Sequence, residues 1–168
     1  MTLARPATPA DAEELVRLRK VMLDSHVGPS TDVGWQAAVV ETLRRRLADP
    51  AGDLAAFVVD RPDTPGALAA TAVGVIEYRL GGPADPSGAS GYVFSVATDP
   101  DLRRRGFSRA CMEALLDWFR TRGVRKIDLR ASRDGEPLYA SLGFVRTPDP
   151  AMRLTLQAST LVPCRVWR

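Results

Sequence analysis

The strongest constraint on how this chain can fold is a strand, a loop and a helix signalled in immediate succession. Tyr92-Val-Phe-Ser-Val-Ala-Thr98 is too continuously apolar for a strand with one wet face, so an interior strand is predicted. The basic stretch Thr98-Asp-Pro-Asp-Leu-Arg-Arg-Arg-Gly-Phe-Ser-Arg109 follows it. Phe107, Ala110, Cys111, Ala114, Leu115, Trp118 and Phe119 then recur at three and four spacing, the pattern of an amphipathic helix, which Gly123 stops. Lys126-Ile-Asp-Leu-Arg-Ala131 reads as the next strand. Strand, helix and strand within about forty residues require a right-handed crossover between parallel strands.

The loop inside this unit carries chemistry. Arg103, Arg104 and Arg105 stand beside Gly106, whose missing Cβ lets a backbone turn sharply and approach a ligand. The first helical N–H groups have no intrahelical partner, and the macrodipole adds partial positive charge there. Three arginines at that end oppose the dipole unless an anion lies among them, and a phosphate satisfies both. A merely solvated helix start is the alternative.

The rest of the chain supplies a frame. Leu3 to Pro6 suits an edge strand, and Thr8-Pro-Ala-Asp11 caps a helix carrying Ala12, Leu15, Leu18 and Met22 on one face. Turn formers from Asp24 to Asp32 break it, and Trp35 to Leu47 forms a second helix ended by Asp49-Pro50. Leu54 to Asp60 and Ala70 to Arg79 read as a hairpin about the Arg61 to Gly66 turn. Gly81 to Gly91 is expected to be a mobile loop. Glu136 to Leu142 reads as a short helix stopped by Gly143, and Phe144 to Arg146 with Met152 to Leu156 as a closing hairpin. The tail, Gln157 to Arg168, is expected to dock on the domain or on a second subunit, as in a homodimer.

At 168 residues one domain is the expectation, and no apolar run reaches the roughly 18 to 20 residues of a membrane span. The N-terminus lacks a secretory pattern, so a cytoplasmic protein with no membrane partner is expected. One histidine, His26, and two distant cysteines, Cys111 and Cys164, offer neither a disulfide framework nor zinc spacing, so no metal is expected. The net charge of +3 is concentrated: Arg44 to Arg46 and Arg103 to Arg105 hold six of 23 basic residues. A nucleic-acid binder would show a broader basic face interleaved with aromatics, so no nucleic-acid partner is expected, and Arg44 to Arg46 read as a solvated helix face.

Arg103-Arg-Arg-Gly106-Phe-Ser108 resembles the Gln/Arg-x-x-Gly-x-Gly/Ala pyrophosphate loop of the GCN5-related N-acetyltransferase (GNAT) family, preceded as in that family by a strand ending in Asp99-Pro100. Leu138-Tyr139-Ala-Ser-Leu142-Gly143-Phe144 is similar to its Leu-Tyr-x-x-x-Gly-Phe segment, in the family's order and at about its spacing. With Arg5-Pro-Ala-Thr-Pro-Ala-Asp11 the resemblance covers roughly Leu3 to Leu156. It implies an α/β fold: a single mixed, mostly antiparallel sheet with a central parallel strand pair, flanked by helices, over residues 1–156.

The resemblance also implies acetyl-CoA as cosubstrate. Backbone at Val96, Ala97 and Thr98 would hold the pantetheine arm, and the Arg103, Arg104, Arg105, Gly106, Phe107, Ser108 and Arg109 loop the pyrophosphate. Tyr139 matches the tyrosine that protonates the leaving sulfur, and a phenol of pKa about 10 is protonated at neutral pH. For the base, Glu77 is the first candidate and His26 or Asp24 the second. Ser108 replaces the usual second glycine or alanine with a hydroxyl that could itself bond phosphate. The family's frequent asparagine is replaced by Ala131-Ser132-Arg133, where Ser132 is a candidate polar contact and Arg133 a candidate for the 3′-phosphate. The function implied is direct acetyl transfer from acetyl-CoA to a primary amine of a small molecule or protein. The alternatives are a catalytically inactive CoA or acetyl-CoA sensor and, on the two arginine triplets, a nucleic-acid binder. Acidic Asp24, Asp32 and Glu77 point to a cationic acceptor.

Overall fold

The structure, a computed structural model, describes residues 3–156. In chain order its elements are β1 (Arg5–Pro6), α1 (Ala12–Val27), α2 (Gln36–Leu47), β2 (Leu54–Asp60), β3 (Leu68–Tyr78), β4 (Ala89–Thr98), α3 (Phe107–Thr121), β5 (Lys126–Leu129) and α4 (Glu136–Ser141). The strands form one sheet in the order β1-β2-β3-β4-β5. The first three pairings are antiparallel and β4–β5 is parallel. This is the mixed, mostly antiparallel α/β sheet that the sequence implies.

The helices cover both faces because the strands alternate. Ala70, Ala72 and Ile76 of β3 meet Cys111, Met112, Leu115 and Phe119 of α3, while Val73 of β3 and Val58 of β2 meet Leu15 and Leu18 of α1. α3 lies close to its strands through two glycines. A Cβ on Gly74 would stand 2.7 Å from Phe119 Cζ, and one on Gly91 2.8 Å from Phe119 Cε1. The fully buried Phe119 ring therefore rests on bare backbone of β3 and β4 and fixes α3 against the strand that leads into the basic loop.

Several expectations are corrected. α1 runs through Asp24-Ser25-His26 to Val27: the Lys20–Asp24 pair at 2.5 Å supports the last turns, and the helix ends only at Gly28, whose φ is 90°. The Gly81 to Gly91 stretch is shorter and more ordered than a mobile rim, since Ala89 to Gly91 belong to β4 and Arg79 N donates to Gly88 O. Gly88 permits this, because a Cβ there would stand 2.0 Å from Arg79 O.

The closing hairpin is not formed. Residues 144–156 contain no strand, Pro148 and Pro150 can donate no ladder hydrogen bond, and Met152, Leu154 and Leu156 are exposed. The parallel pair therefore lies at the β5 end of the sheet rather than at its centre, and β3 is the middle strand. The expected tail, 157–168, lies outside the described residues. Arg44 and Arg46 sit on the outer face of α2, as expected, paired with Glu13, Glu41 and Asp53.

Candidate active site

The site is built on an irregularity in β4. Val73 faces Phe94 but Thr71 faces Ala97, so two residues of β4 are accommodated against one of β3. At this bulge Ser95 adopts φ 50°, a left-handed conformation costly for a side-chain-bearing residue. The bulge resets the alternation: Phe94 and Ala97, three apart, both pack on the α1 side, and Val96 packs on the α3 side. α1 reaches the bulge through Arg19, whose guanidinium donates to the buried Ser95 hydroxyl.

Beyond the bulge β4 has one strand neighbour among the described residues. β5 pairs with Ser90 to Val93 and stops, so among the described residues no strand covers the β5 side of Phe94 to Thr98. Five residues of strand offer a backbone slot on the order of 16 Å long. It runs directly into the basic loop.

After Asp99 the chain makes a 3-10 turn over Pro100–Leu102, which buries Leu102, and then exposes Arg103, Arg104, Arg105 and Gly106 before α3 starts. Arg104 has φ 65° and Gly106 φ 82°. A Cβ on Gly106 would meet nothing within 4 Å, so glycine serves the left-handed turn there rather than a tight internal contact. Phe107 turns its ring into the core, leaving backbone N–H groups at the α3 N-terminus. Open backbone, three exposed guanidiniums and a helix N-terminus together fit a diphosphate.

Neighbouring elements engage several of these residues. The Ser108 hydroxyl, a candidate phosphate contact, shares a 2.5 Å hydrogen bond with Thr98 Oγ1 and ties the end of β4 to the first turn of α3. Arg109 donates to Ser141 Oγ on α4 at 2.7 Å and lies 3.7 Å from Glu113. Ser132 accepts from Gly135 N at 3.1 Å through its hydroxyl and caps the entry to α4. Arg133 is exposed.

Tyr139 sits on α4, edge-on to Phe144 with ring centroids 6.1 Å apart. It lines a cleft of about 410 Å³ bounded by β5, α4 and residues 144–151. Burial raises its phenol above the usual value near 10, so it remains a proton donor across neutral and mildly alkaline pH.

The candidate bases separate. Glu77 on β3 pairs with Arg79 at 2.8 Å and is 42% exposed. His26 is exposed at the end of α1, its Nδ1 2.7 Å from Met22 O. Asp24 and Asp32 come together with Lys20, Ser30 and Trp35 around a pocket of about 190 Å³. The Asp24 carboxyl is held below its ordinary range, chiefly by the Lys20 ammonium. Glu77 does not join them. Among the described residues no cluster of three or more metal-ligating side chains occurs, and no helix is long and apolar enough to cross a membrane.

Two site features escaped the sequence reading. The Ser95 bulge has no signal in an apolar run, where serine is a small strand residue like any other. The Arg19–Ser95 contact joins residues 76 positions apart, and Arg19 reads simply as the polar face of a helix.

Comparison with known proteins agrees with this geometry. A model of the acetyltransferase (GNAT) family matches residues 19–144, well over half of the chain. A crystal structure of a predicted acetyltransferase with acetyl-CoA from Clostridium acetobutylicum has the same fold, with a TM-score of 0.77 at 24% identity over 90% of this chain and 94% of that one. A GCN5-related N-acetyltransferase from Ralstonia eutropha JMP134 superposes with a TM-score of 0.73 at 26% identity, covering 90% and 97%. The [ribosomal protein bS18]-alanine N-acetyltransferase of Salmonella typhimurium is 46% identical over 55 residues, a match spanning 31% of this chain and 37% of that relative. The chain thus belongs to the acetyltransferase (GNAT) family.

Proposed function

We propose that this chain is an N-acetyltransferase that takes its acetyl group from acetyl-CoA and passes it directly to a primary amine of a small molecule or protein. The observation that carries the reading is the uncovered edge of β4 from Phe94 to Thr98, which leads without interruption into the Arg103 to Gly106 loop. Arg103, Arg104, Arg105 and the backbone from Gly106 to Arg109 bind the diphosphate. Val96, Ala97 and Thr98 bond the pantetheine amides as an added strand would. Bound there, acetyl-CoA supplies an activated acyl group, and its chemistry is thioester acyl transfer.

The chain's own groups then have defined tasks. A backbone N–H at the bulge faces the thioester oxygen and stabilises the charge that develops on it, a contribution of about 3 to 4 kcal/mol where such donors have been removed. The amine nitrogen bonds to the acyl carbon as the carbon–sulfur bond breaks. The Tyr139 hydroxyl gives its proton to the departing sulfur. Before attack the bound ammonium gives one proton to a carboxylate, Glu77 directly or through water, or Asp24 at the acceptor pocket, and after attack the nitrogen's second proton returns to the Tyr139 oxygen. The pocket lined by Lys20, Asp24, Asp32 and Trp35 supports a cationic acceptor, because its two carboxylates outnumber the one ammonium that pairs with Asp24. The partial match to a ribosomal-protein alanine acetyltransferase supports a protein amine among the acceptors.

The test is a panel of small amines and amino-terminal peptides incubated with acetyl-CoA and followed by mass spectrometry. A gain of one acetyl group, lost in Tyr139→Phe with cofactor affinity retained, is the expected result. Binding of acetyl-CoA with no acetyl gain across the panel would leave a sensor and refute the transferase reading.

A further inference from the structure

The loop's geometry is set from outside it, by a carboxylate that the reaction does not use. Asp99, the last residue before the 3-10 turn, is 4% exposed and carries two guanidiniums. Arg17 of α1 donates to Asp99 Oδ1 at 2.7 Å and Oδ2 at 3.1 Å, and Arg61 of the β2–β3 turn donates to Oδ2 at 2.7 Å. Each arginine is held in turn. Glu14 takes Arg17 Nε at 2.8 Å and Nη2 at 2.9 Å, and the same Nη2 lies 2.8 Å from Leu68 O. Asp101, inside the 3-10 turn, takes Arg61 Nη2 at 2.6 Å. The network thus joins α1, β3, the β2–β3 turn and the start of the loop.

The consequence follows from how little chain is left free. Asp99 N donates to Ala69 O at 2.9 Å, Leu102 is buried, and the helix begins at Phe107. Only Arg103 to Gly106 lie between, and two of those four residues have positive φ. A four-residue span fixed at both ends has few conformations, so the direction in which the chain leaves Asp99 decides where the loop's N–H groups stand. We propose that Asp99, gripped by Arg17 and Arg61, is a positioning residue that presets the arginine loop for the diphosphate of the acyl donor. This rests on the reading given under Proposed function.

A purely electrostatic role makes the opposite prediction. Asp99 is a negative charge a few residues from a phosphate site, and neutralising it would by charge alone strengthen anion binding. Positioning predicts weaker binding. The sign decides between them.

The experiment uses the full chain as parent, Asp99→Asn and Arg61→Lys, the last keeping the charge while losing the forked donor set. Binding of coenzyme A is measured by calorimetry, and kcat and KM are measured with acetyl-CoA and with S-acetylpantetheine, a thioester without the diphosphate. The expected result is a dissociation constant and KM for the coenzyme raised on the order of tenfold in both variants, the scale of one charge-assisted hydrogen bond. kcat at saturation and kcat/KM with S-acetylpantetheine stay at parental values. Tighter or unchanged coenzyme binding in Asp99→Asn overturns the proposal. An equal loss with S-acetylpantetheine also overturns it, since the effect is then general to the fold. Should Asp99→Asn fail to fold, Arg61→Lys decides alone by the same criteria. A parent that does not bind coenzyme A refutes the functional reading and this proposal together, whereas a parent that binds it and variants that match it refute this proposal only.

Discussion

Gly106→Ala separates what the backbone requires from what a ligand requires. Gly106 has φ 82° and ψ 1°, squarely left-handed, and an added Cβ would meet no protein atom within 4 Å. Its cost to the free protein is therefore backbone strain alone, roughly 1 to 2 kcal/mol, with no packing penalty added. For a domain of this size each kcal/mol moves the melting midpoint by roughly 2 to 4 °C, so the free variant should melt about 2 to 8 °C lower. The new methyl group stands in the open space where a diphosphate must approach. Losing one charge-assisted hydrogen bond of about 1.5 to 3 kcal/mol raises the dissociation constant roughly tenfold to a hundredfold or somewhat more. Acetyl-CoA at about one hundred times the parental dissociation constant stabilises the parent by about 2.7 kcal/mol, a rise of roughly 5 to 10 °C. The same concentration should raise the variant by no more than about half of that. Differential scanning fluorimetry with and without ligand reads both quantities. A variant that melts lower but keeps the full ligand-induced rise would refute the argument, because the glycine would then serve the turn and not the ligand.

Three further outcomes follow from particular residues. Tyr139→Phe should lower kcat on the order of a hundredfold or more at neutral pH. The parent's alkaline loss of activity should lie above pH 10, since burial raises the phenol and a donor acts only below its pKa; an alkaline limb near pH 8 in the pH–kcat profile would contradict this assignment. Cys111 is fully buried and its thiol is pushed up to about 12, so in a Cys164→Ser background the native protein should give no reaction with a thiol reagent at pH 8 and one equivalent after unfolding; native labelling would disprove the burial. Thr71 is fully buried beside the bulge and its hydroxyl has no hydrogen-bond partner among the described residues, a cost of about 1 to 3 kcal/mol, so Thr71→Val should raise the melting midpoint by at least about 2 °C. A lower midpoint would mean that the hydroxyl has a partner such as a bound water.

Much of the frame was legible because local chemistry and tertiary structure agree. Leu54 to Asp60 is a strand in both readings, and the α3 stripe from Phe107 to Phe119 is the face that packs on the sheet. The loop's place was legible because the glycine beside three arginines breaks the apolar pattern between β4 and α3, and Gly106 takes a left-handed φ there. Where chain-distant contacts decide, the sequence is silent. Asp99 reads as part of a turn with Pro100, and only the fold brings Arg17 and Arg61, 82 and 38 residues away, onto its buried carboxylate. Asp24 and Ser25 look like helix breakers, yet the Lys20 pair carries α1 past them. Glu77 shows the converse: its strand is placed correctly, and its pair with Arg79 lies only two residues along the same strand end.

Central to the proposed function is that the edge of β4 left uncovered among the described residues, with the loop beyond it, receives the acyl donor. Backbone amide hydrogen exchange with and without acetyl-CoA tests this most directly. Slowed exchange confined chiefly to Val96–Thr98 and Arg104–Arg109 is the predicted result. Protection that appears instead along β5 and α4 around the 410 Å³ cleft, with residues 96–109 unchanged, would contradict it.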